Sequence, residues 1–141
     1  MLSFEQIERF VRASLPLGLT KVRFTGGEPL LRPELHRLVR MISALGVETA
    51  LTTNASLLAD QARLLAQSGL DRVTVSLDAL DPAIHSQMAD CTVPIETVIL
   101  GIESAVQNDL GPVKVNCVVQ RGVNESEVPA LVSHFKGSGV C

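Results

Sequence analysis

The sequence has no tryptophan, no tyrosine and only four phenylalanines, so any core must be built from Leu, Val, Ile and Ala. No apolar run approaches the roughly 18 residues of a membrane span. The stretch Met1 to Val11 carries Glu5 and Glu8 and no apolar segment, which fits neither a signal nor a transit peptide. A cytoplasmic location is the expectation. Cysteine is scarce, and Cys91, Cys117 and Cys141 have no metal-type spacing, so a disulfide framework is not expected. Cys117 lies in an apolar strand pattern and reads as a core thiol. His36, His85 and His134 are scattered and read as surface or helix-face residues. HExxH, P-loop and serine–histidine–aspartate patterns are absent. A net charge of −3 argues against general binding of nucleic acid or anionic membranes. An anionic ligand would have to be held by a few local cations.

What is present is enough for one domain: 141 residues, 46% of them apolar, which is globular rather than disordered. The chain is organised around Lys21-Val22-Arg23-Phe24-Thr25-Gly26-Gly27-Glu28-Pro29-Leu30. Val22 and Phe24 alternate with Lys21, Arg23 and Thr25, the period-two pattern of a strand with two unlike faces. Gly26 and Gly27 then bare the backbone where the strand ends, so that a ligand can approach it closely. Glu28 puts a carboxylate at that spot, and Pro29 stiffens the exit.

Along the chain, Ser3-Phe4-Glu5-Gln6 fits a capping box, and Phe4, Ile7, Phe10, Val11 and Leu15 mark one helical face, stopped by Pro16 and Gly18. After the first strand, Pro33 suits a first helical position, and Leu35, Leu38, Val39 and Ile42 form the next stripe, ending at Gly46. A second strand runs over 47–54 and a helix over 57–67, with Gly69 as its left-handed stop. A third strand covers 72–78, followed by a short helix over 82–88 and a longer one over 94–107. The fourth strand is expected over 113–120. Asn124-Glu125-Ser126-Glu127 repeats the capping-box logic before a last helix to about Lys136. One helix followed by four strand–helix units requires parallel pairing with right-handed crossovers.

Parallel strands covered on both faces are almost wholly apolar. These are not. Arg23 and Thr25, Thr52 and Asn54, Thr74, Ser76 and Asp78, and Lys114 and Asn116 give each strand one polar face, while the other face stays apolar. A polar inner face implies a wet or ligand-filled cavity, and ligands on parallel sheets sit at the carboxyl ends of strands. Each residue also has a plainer reading. Thr52, Thr53 and Asn54 end a strand and start a turn; Ser76 and Asp78 cap the next segment; Arg23 and Lys114 are exposed charges; Glu28 is a solvated turn residue. Agreement in face and strand end, four times over, favours the ligand surface.

The runs KVRFTGGEPLLRPEL, LTTNASLL, GLDRVTVSLDALDP and PVKVNCVVQRGVNESEV closely resemble the GTP 3′,8-cyclase family of radical S-adenosylmethionine enzymes, which begins molybdenum cofactor synthesis. The resemblance spans nearly the whole chain and is weakest at Gln87 to Pro94. It implies an α/β fold, a partial TIM-like (βα) barrel of the radical S-adenosylmethionine type with about four parallel strands and outer helices. It also implies roles. Gly26 and Gly27 would approach S-adenosylmethionine through the backbone, Glu28 would receive its amino group, and Ser76 would add a contact. Arg23, Thr52 and Lys114 match positions that contact GTP, with Asn116 on the same face. The whole reaction would be reductive cleavage of S-adenosylmethionine by a four-iron cluster, leading to ring closure within GTP.

Departures from the family pattern matter more than the matches. The CxxxCxxC loop that holds the four-iron cluster is not found, and Cys91, Cys117 and Cys141 cannot replace it. The family's first barrel strand and its carboxyl-terminal part also lack counterparts. The chain then resembles the middle of the enzyme, as a truncated form, a partial gene or a degenerate paralogue, and alone would not start the reaction. Four strands cannot close a barrel, so both outer strands are expected to present free edges that favour self-association or a homodimer. The competing readings are another radical S-adenosylmethionine enzyme of peptide or haem maturation, a non-catalytic remnant that binds a nucleotide or partner, and a Schiff-base aldolase with Lys114 as nucleophile and Asp78 as its acid–base partner.

Overall fold

The computed structural model describes residues 2–89 and 93–141. Among these residues the order is α1 (Phe4–Ser14), β1 (Lys21–Phe24), α2 (Leu35–Ser43), β2 (Glu48–Thr53), α3 (Leu58–Gln67), β3 (Arg72–Ser76), α4 (Pro82–Ala89), α5 (Ile95–Gln107), β4 (Lys114–Asn116) and α6 (Val128–Phe135). Short 3₁₀ turns lie at Leu15–Leu17, Pro29–Leu31 and Glu125–Glu127. The strands form one sheet in the order β1-β2-β3-β4, every pair parallel. This is the α/β arrangement expected from the sequence. No described helix is long and apolar enough to cross a membrane.

Local chemistry accounts for most element boundaries. Ser3 Oγ accepts from the Gln6 N–H at 3.2 Å while Gln6 Oε1 accepts from the Ser3 N–H at 2.9 Å, a reciprocal cap that starts α1. The stripe Leu35, Leu38, Val39 and Ile42 is buried on α2. These side chains join Leu51, Val73, Val75 and Leu77 of the sheet, and Leu58, Leu65, Val98 and Ile102 of α3 and α5, in one apolar core. Gly101 lets α5 close on the start of α3, since a Cβ there would lie 3.0 Å from the Ala55 carbonyl oxygen.

Register is pinned at the amino ends of the strands. Glu48 takes Lys21 at 3.0 Å and Arg72 at 2.8 Å, linking β1, β2 and β3. The buried Thr49 presents its N–H to Asp71 Oδ2 at 2.7 Å, and its hydroxyl donates to the Gly69 carbonyl at 2.8 Å. The resulting alignment sets Arg23 opposite Ala50, Thr52 opposite Thr74, Thr74 opposite Lys114 and Ser76 opposite Asn116.

Several expectations are corrected. β4 ends at Asn116 rather than near Gln120, because side chains take over its backbone. The Val118 N–H donates to Asp78 Oδ1 at 2.8 Å and the Gln120 N–H to Asn124 Oδ1 at 2.7 Å. Asn124 is thereby occupied and caps nothing, so the second capping box does not form. Pro33 precedes α2, which starts at Leu35 after Glu34 in a left-handed conformation (φ +57). His85 lies on the buried face of α4, 4% exposed, and neither ring nitrogen has a hydrogen-bond partner among the described residues. Cys117 is half-buried rather than a full core thiol, Cys141 is exposed, and Cys91 falls outside the described residues. The outer edge of β4 is not free: Val140 bridges Val113 in parallel, Cys141 N–H donates to the Val113 carbonyl at 2.8 Å, and the Val115 N–H donates to the Cys141 carbonyl at 2.9 Å. Strand β1 forms the other edge of the sheet.

Gly69 ends α3 at φ +88, and a Cβ there would lie 2.4 Å from Ser43 Oγ. Gly69→Ala should therefore cost about 1–2 kcal/mol through left-handed strain plus the clash. Urea unfolding measures this; a loss below about 0.3 kcal/mol would contradict the geometry.

Candidate functional site

Alternation along β1–β4 sends Phe24, Leu51, Val73 and Val75 to the helix layer, and Arg23, Thr52, Thr74, Ser76, Lys114 and Asn116 to the opposite face. On that face Arg23 leans across two neighbouring strands. Its Nη1 donates to Thr52 Oγ1 at 2.8 Å and to Thr74 Oγ1 at 3.2 Å. Both bonds use Nη1, so the Nη2 and Nε donors of the guanidinium point to no partner in this network. Lys114, the register partner of Thr74, is exposed and adds a second cation. One layer toward the carboxyl ends, Ser76 and Asn116 face each other. Thr74 was readable as a polar-face residue, but its part in bracing Arg23 depends on the strand stagger.

The glycine turn sits at the carboxyl end of β1, in a cleft of about 490 Å³ that also takes in Arg23, Phe24, Glu28 and Arg32. Gly26 adopts φ +147, which favours glycine. Gly27 has no positive φ, and a Cβ added to either glycine would meet none of the described residues within 4 Å. Nothing in the packing of the described residues requires Gly27 to lack a side chain. The bare space fits the close backbone approach of a ligand.

Glu28 is not a free rim acid. Its Oε1 accepts from the Leu30 N–H at 2.9 Å and from the Thr53 hydroxyl at 2.8 Å, and its Oε2 accepts from the Asn54 N–H at 2.8 Å. Thr53 shares the helix-side face of β2 with Leu51, so Glu28 is anchored on the side of β2 opposite to Thr52. Arg23, Thr52 and Thr74 form one bonded group, Lys114, Ser76 and Asn116 extend that face across β3 and β4, and Glu28 with Gly26 and Gly27 forms a separate group at the end of β1. The turn reading of Thr53 and Asn54 is realised alongside: Thr53 Oγ1 accepts from the Ala55 N–H at 3.0 Å and Asn54 Oδ1 from the Ser56 N–H at 2.9 Å.

A second staple joins the carboxyl ends of β3 and β4. Asn124, fully buried, donates from Nδ2 to the carbonyls of Asp78 at 2.8 Å and Val118 at 2.9 Å. Glu127 Oε2 accepts from the N–H groups of Leu80 at 2.9 Å and Asp81 at 3.0 Å. Sequence reasoning missed both roles, since an Asn-x-x-Glu run before a helix carries the same letters as a cap. Nearby, burial and then the negative charge of Asp78 push the Cys117 thiol above its ordinary pKa. The exposed Lys114 and the bonded Asp78 do not make the desolvated lysine–acid pair that a Schiff-base enzyme needs.

Comparison with known proteins decides the family. Residues 1–135 match the Radical SAM superfamily. The chain belongs to that superfamily. Among curated relatives, it is 53% identical over 140 residues to a GTP 3′,8-cyclase of Xanthomonas axonopodis pv. citri (strain 306), covering 98% of this chain and 42% of the relative. It is 47% identical over 141 residues to a GTP 3′,8-cyclase of Acidothermus cellulolyticus (strain ATCC 43068 / DSM 8971 / 11B), covering 99% and 39%. The chain thus spans about two fifths of the length of these relatives. Its fold is similar to a domain of pyruvate-formate lyase-activating enzyme from Bacteroides vulgatus ATCC 8482, with TM-score 0.71 and 23% identity over 84% of this chain and 73% of that one. It is also similar to an archaeal TYW1, with TM-score 0.63 and 17% identity over 94% and 49%.

Membership in the radical SAM superfamily implies S-adenosylmethionine and a four-iron cluster. The open backbone at Gly26 and Gly27 suits the first. For the cluster, no group of three or more His, Cys, Asp or Glu is placed to hold a metal ion among the described residues, so those residues do not fit it.

The staple has two measurable consequences. Asn124→Ala strands the Gln120 N–H and two carbonyls and should destabilise the fold by roughly 2–4 kcal/mol; a denaturant midpoint unchanged from wild type would contradict this. Iodoacetamide should alkylate Cys141 before Cys117 at neutral pH, because a raised pKa leaves less thiolate. Asp78→Asn should speed labelling of Cys117, read by peptide mass mapping. Equal rates at Cys117 and Cys141 in the wild type would count against the burial and charge argument.

Proposed function

We propose that this chain is part of the radical SAM core domain of a GTP 3′,8-cyclase, the enzyme that converts GTP to 3′,8-cyclo-7,8-dihydro-GTP in molybdenum cofactor biosynthesis. The observation that carries this reading is the Arg23 guanidinium, braced by Thr52 and Thr74 one strand away from Lys114 on an open face. Two cations on a chain of net charge −3 are a local feature that suits a polyanionic nucleotide. In this reading Arg23 turns its remaining N–H groups to phosphate oxygens, where planar donors bind strongly. Thr52 and Thr74 each accept from Arg23, so each keeps its own hydroxyl proton for the ligand. Lys114 adds a mobile charge, and Asn116 a donor and an acceptor nearer the rim. Gly26, Gly27 and Ser76 receive S-adenosylmethionine, which supplies the radical chemistry when bound, while the protein orients and shields the reacting groups.

The names of the relatives and the extent of their identity support this assignment. A cytoplasmic setting and self-association through the β1 edge belong to the same reading.

Binding of GTP tests it. The chain should bind GTP, with Arg23→Ala and Lys114→Ala each weakening affinity about tenfold or more, and with wild-type affinity falling as salt rises. No measurable GTP binding, or binding indifferent to both substitutions, would overturn the reading.

A further inference from the structure

We propose that Thr53, which no strand pattern marks as a site residue, is a positioning residue: its buried hydroxyl aims the Glu28 carboxylate at the ammonium of a bound amino-acid moiety. This rests on the S-adenosylmethionine reading above, since that cofactor carries such a group. Thr53 is 2% exposed. Its hydroxyl has one proton, and the Ala55 N–H already donates to its oxygen at 3.0 Å. That arrangement commits the proton to Glu28 Oε1, 2.8 Å away. With Leu30 N–H also on Oε1 and Asn54 N–H on Oε2, three donors from two chain segments fix the plane of the carboxylate. A carboxylate offers about four lone-pair sites, so one remains, on Oε2. A cationic amine is the donor that such a site accepts most strongly. The open space at Gly26 and Gly27 lies one and two residues away along the chain.

The neighbouring residue separates the two ligands. Thr52 points to the opposite face and receives Arg23, so the nucleotide cations and the Glu28 acid hang on adjacent residues of one strand but on opposite sides. Loss of the Thr53 hydroxyl should therefore affect one ligand and spare the other, which a general loss of stability would not do.

The test compares Thr53→Val and Thr53→Ser in this chain, with S-adenosylmethionine and GTP affinities measured by calorimetry and amide hydrogen exchange followed at Leu30 and Asn54. Thr53→Val should weaken S-adenosylmethionine binding about tenfold, in keeping with loss of a hydrogen bond to a charged group. It should leave GTP affinity within twofold and speed exchange at both amides. Thr53→Ser, which keeps the hydroxyl, should restore both readouts. If Thr53→Val does not fold, Thr53→Ala removes the same hydroxyl with less bulk and carries the same comparison. Unchanged S-adenosylmethionine affinity in the hydroxyl-free variant overturns the proposal, as does an equal loss for both ligands. Absence of S-adenosylmethionine binding by the wild type would count against the cofactor reading instead. The clamp is then judged by exchange alone, and unchanged exchange at Leu30 and Asn54 overturns it.

Discussion

The relative register of four parallel strands is the constraint on which the rest of this structure depends. Side chains alternate with a period of two, so a slip of one residue in any strand would send Arg23, Thr52, Thr74 or Lys114 into the helix layer and an apolar neighbour into water. The chain secures register at both ends of the sheet. At the amino ends, Glu48 joins Lys21 and Arg72, and Thr49 joins Asp71. At the carboxyl ends, Glu28 ties the β1 turn to Thr53 and Asn54, while Asn124 and Glu127 tie the segment after β3 to the segment after β4. The exposed ion pairs contribute little energy each. The buried or half-buried bonds of Thr49, Glu28 and Asn124 contribute more, because breaking them strands polar groups away from water.

This division assigns different work to the two ends. The amino-end contacts hold the strands together. The carboxyl-end contacts hold the bare turn at Gly26 and Gly27, and the ends of the strands that carry Ser76 and Asn116. Binding residues on parallel sheets gather at this end, where loops can vary while the scaffold stays rigid. Several acids and amides at the rim, Glu28, Asp78, Asn124 and Glu127, are occupied by backbone N–H or C=O groups. They shape the site before any of them touches a ligand.

Much of this was legible in the sequence. Period-two alternation marked the strands observed over Lys21–Phe24 and Arg72–Ser76 and their polar faces, but the third strand stops short of Asp78, whose carboxylate accepts from the Val118 N–H. The stripe from Leu35 to Ile42 marked a buried helix face, and Gly69 marked a left-handed stop. What escaped were contacts between segments far apart in the chain. The Asn124 side chain meets Asp78 across 46 positions, and the same four letters near a helix start read equally well as a cap. Thr53 next to Thr52 looked like the end of a strand, because a hydroxyl on the helix-side face is visible as a ligand-site support only once Glu28 is seen to reach it. His85 read as a helix-face residue, and its place on the inner side of α4 depends on how that helix packs. The end of β4 was overestimated because Val118 and Val119 continue an apolar strand pattern, while the backbone there is taken by side chains.

The central claim is that the polar face of the sheet, and not the helix layer or the apolar cleft that Val115, Leu131 and Phe135 line between β4 and α6, is the nucleotide-binding surface. Mapping backbone and side-chain NMR shifts during titration with GTP tests it most directly. The account predicts that the largest changes fall on Arg23, Thr52, Thr74 and Lys114, with smaller ones at Asn116. Changes confined to the helices, or to Leu131 and Phe135 in the β4–α6 cleft, would contradict it.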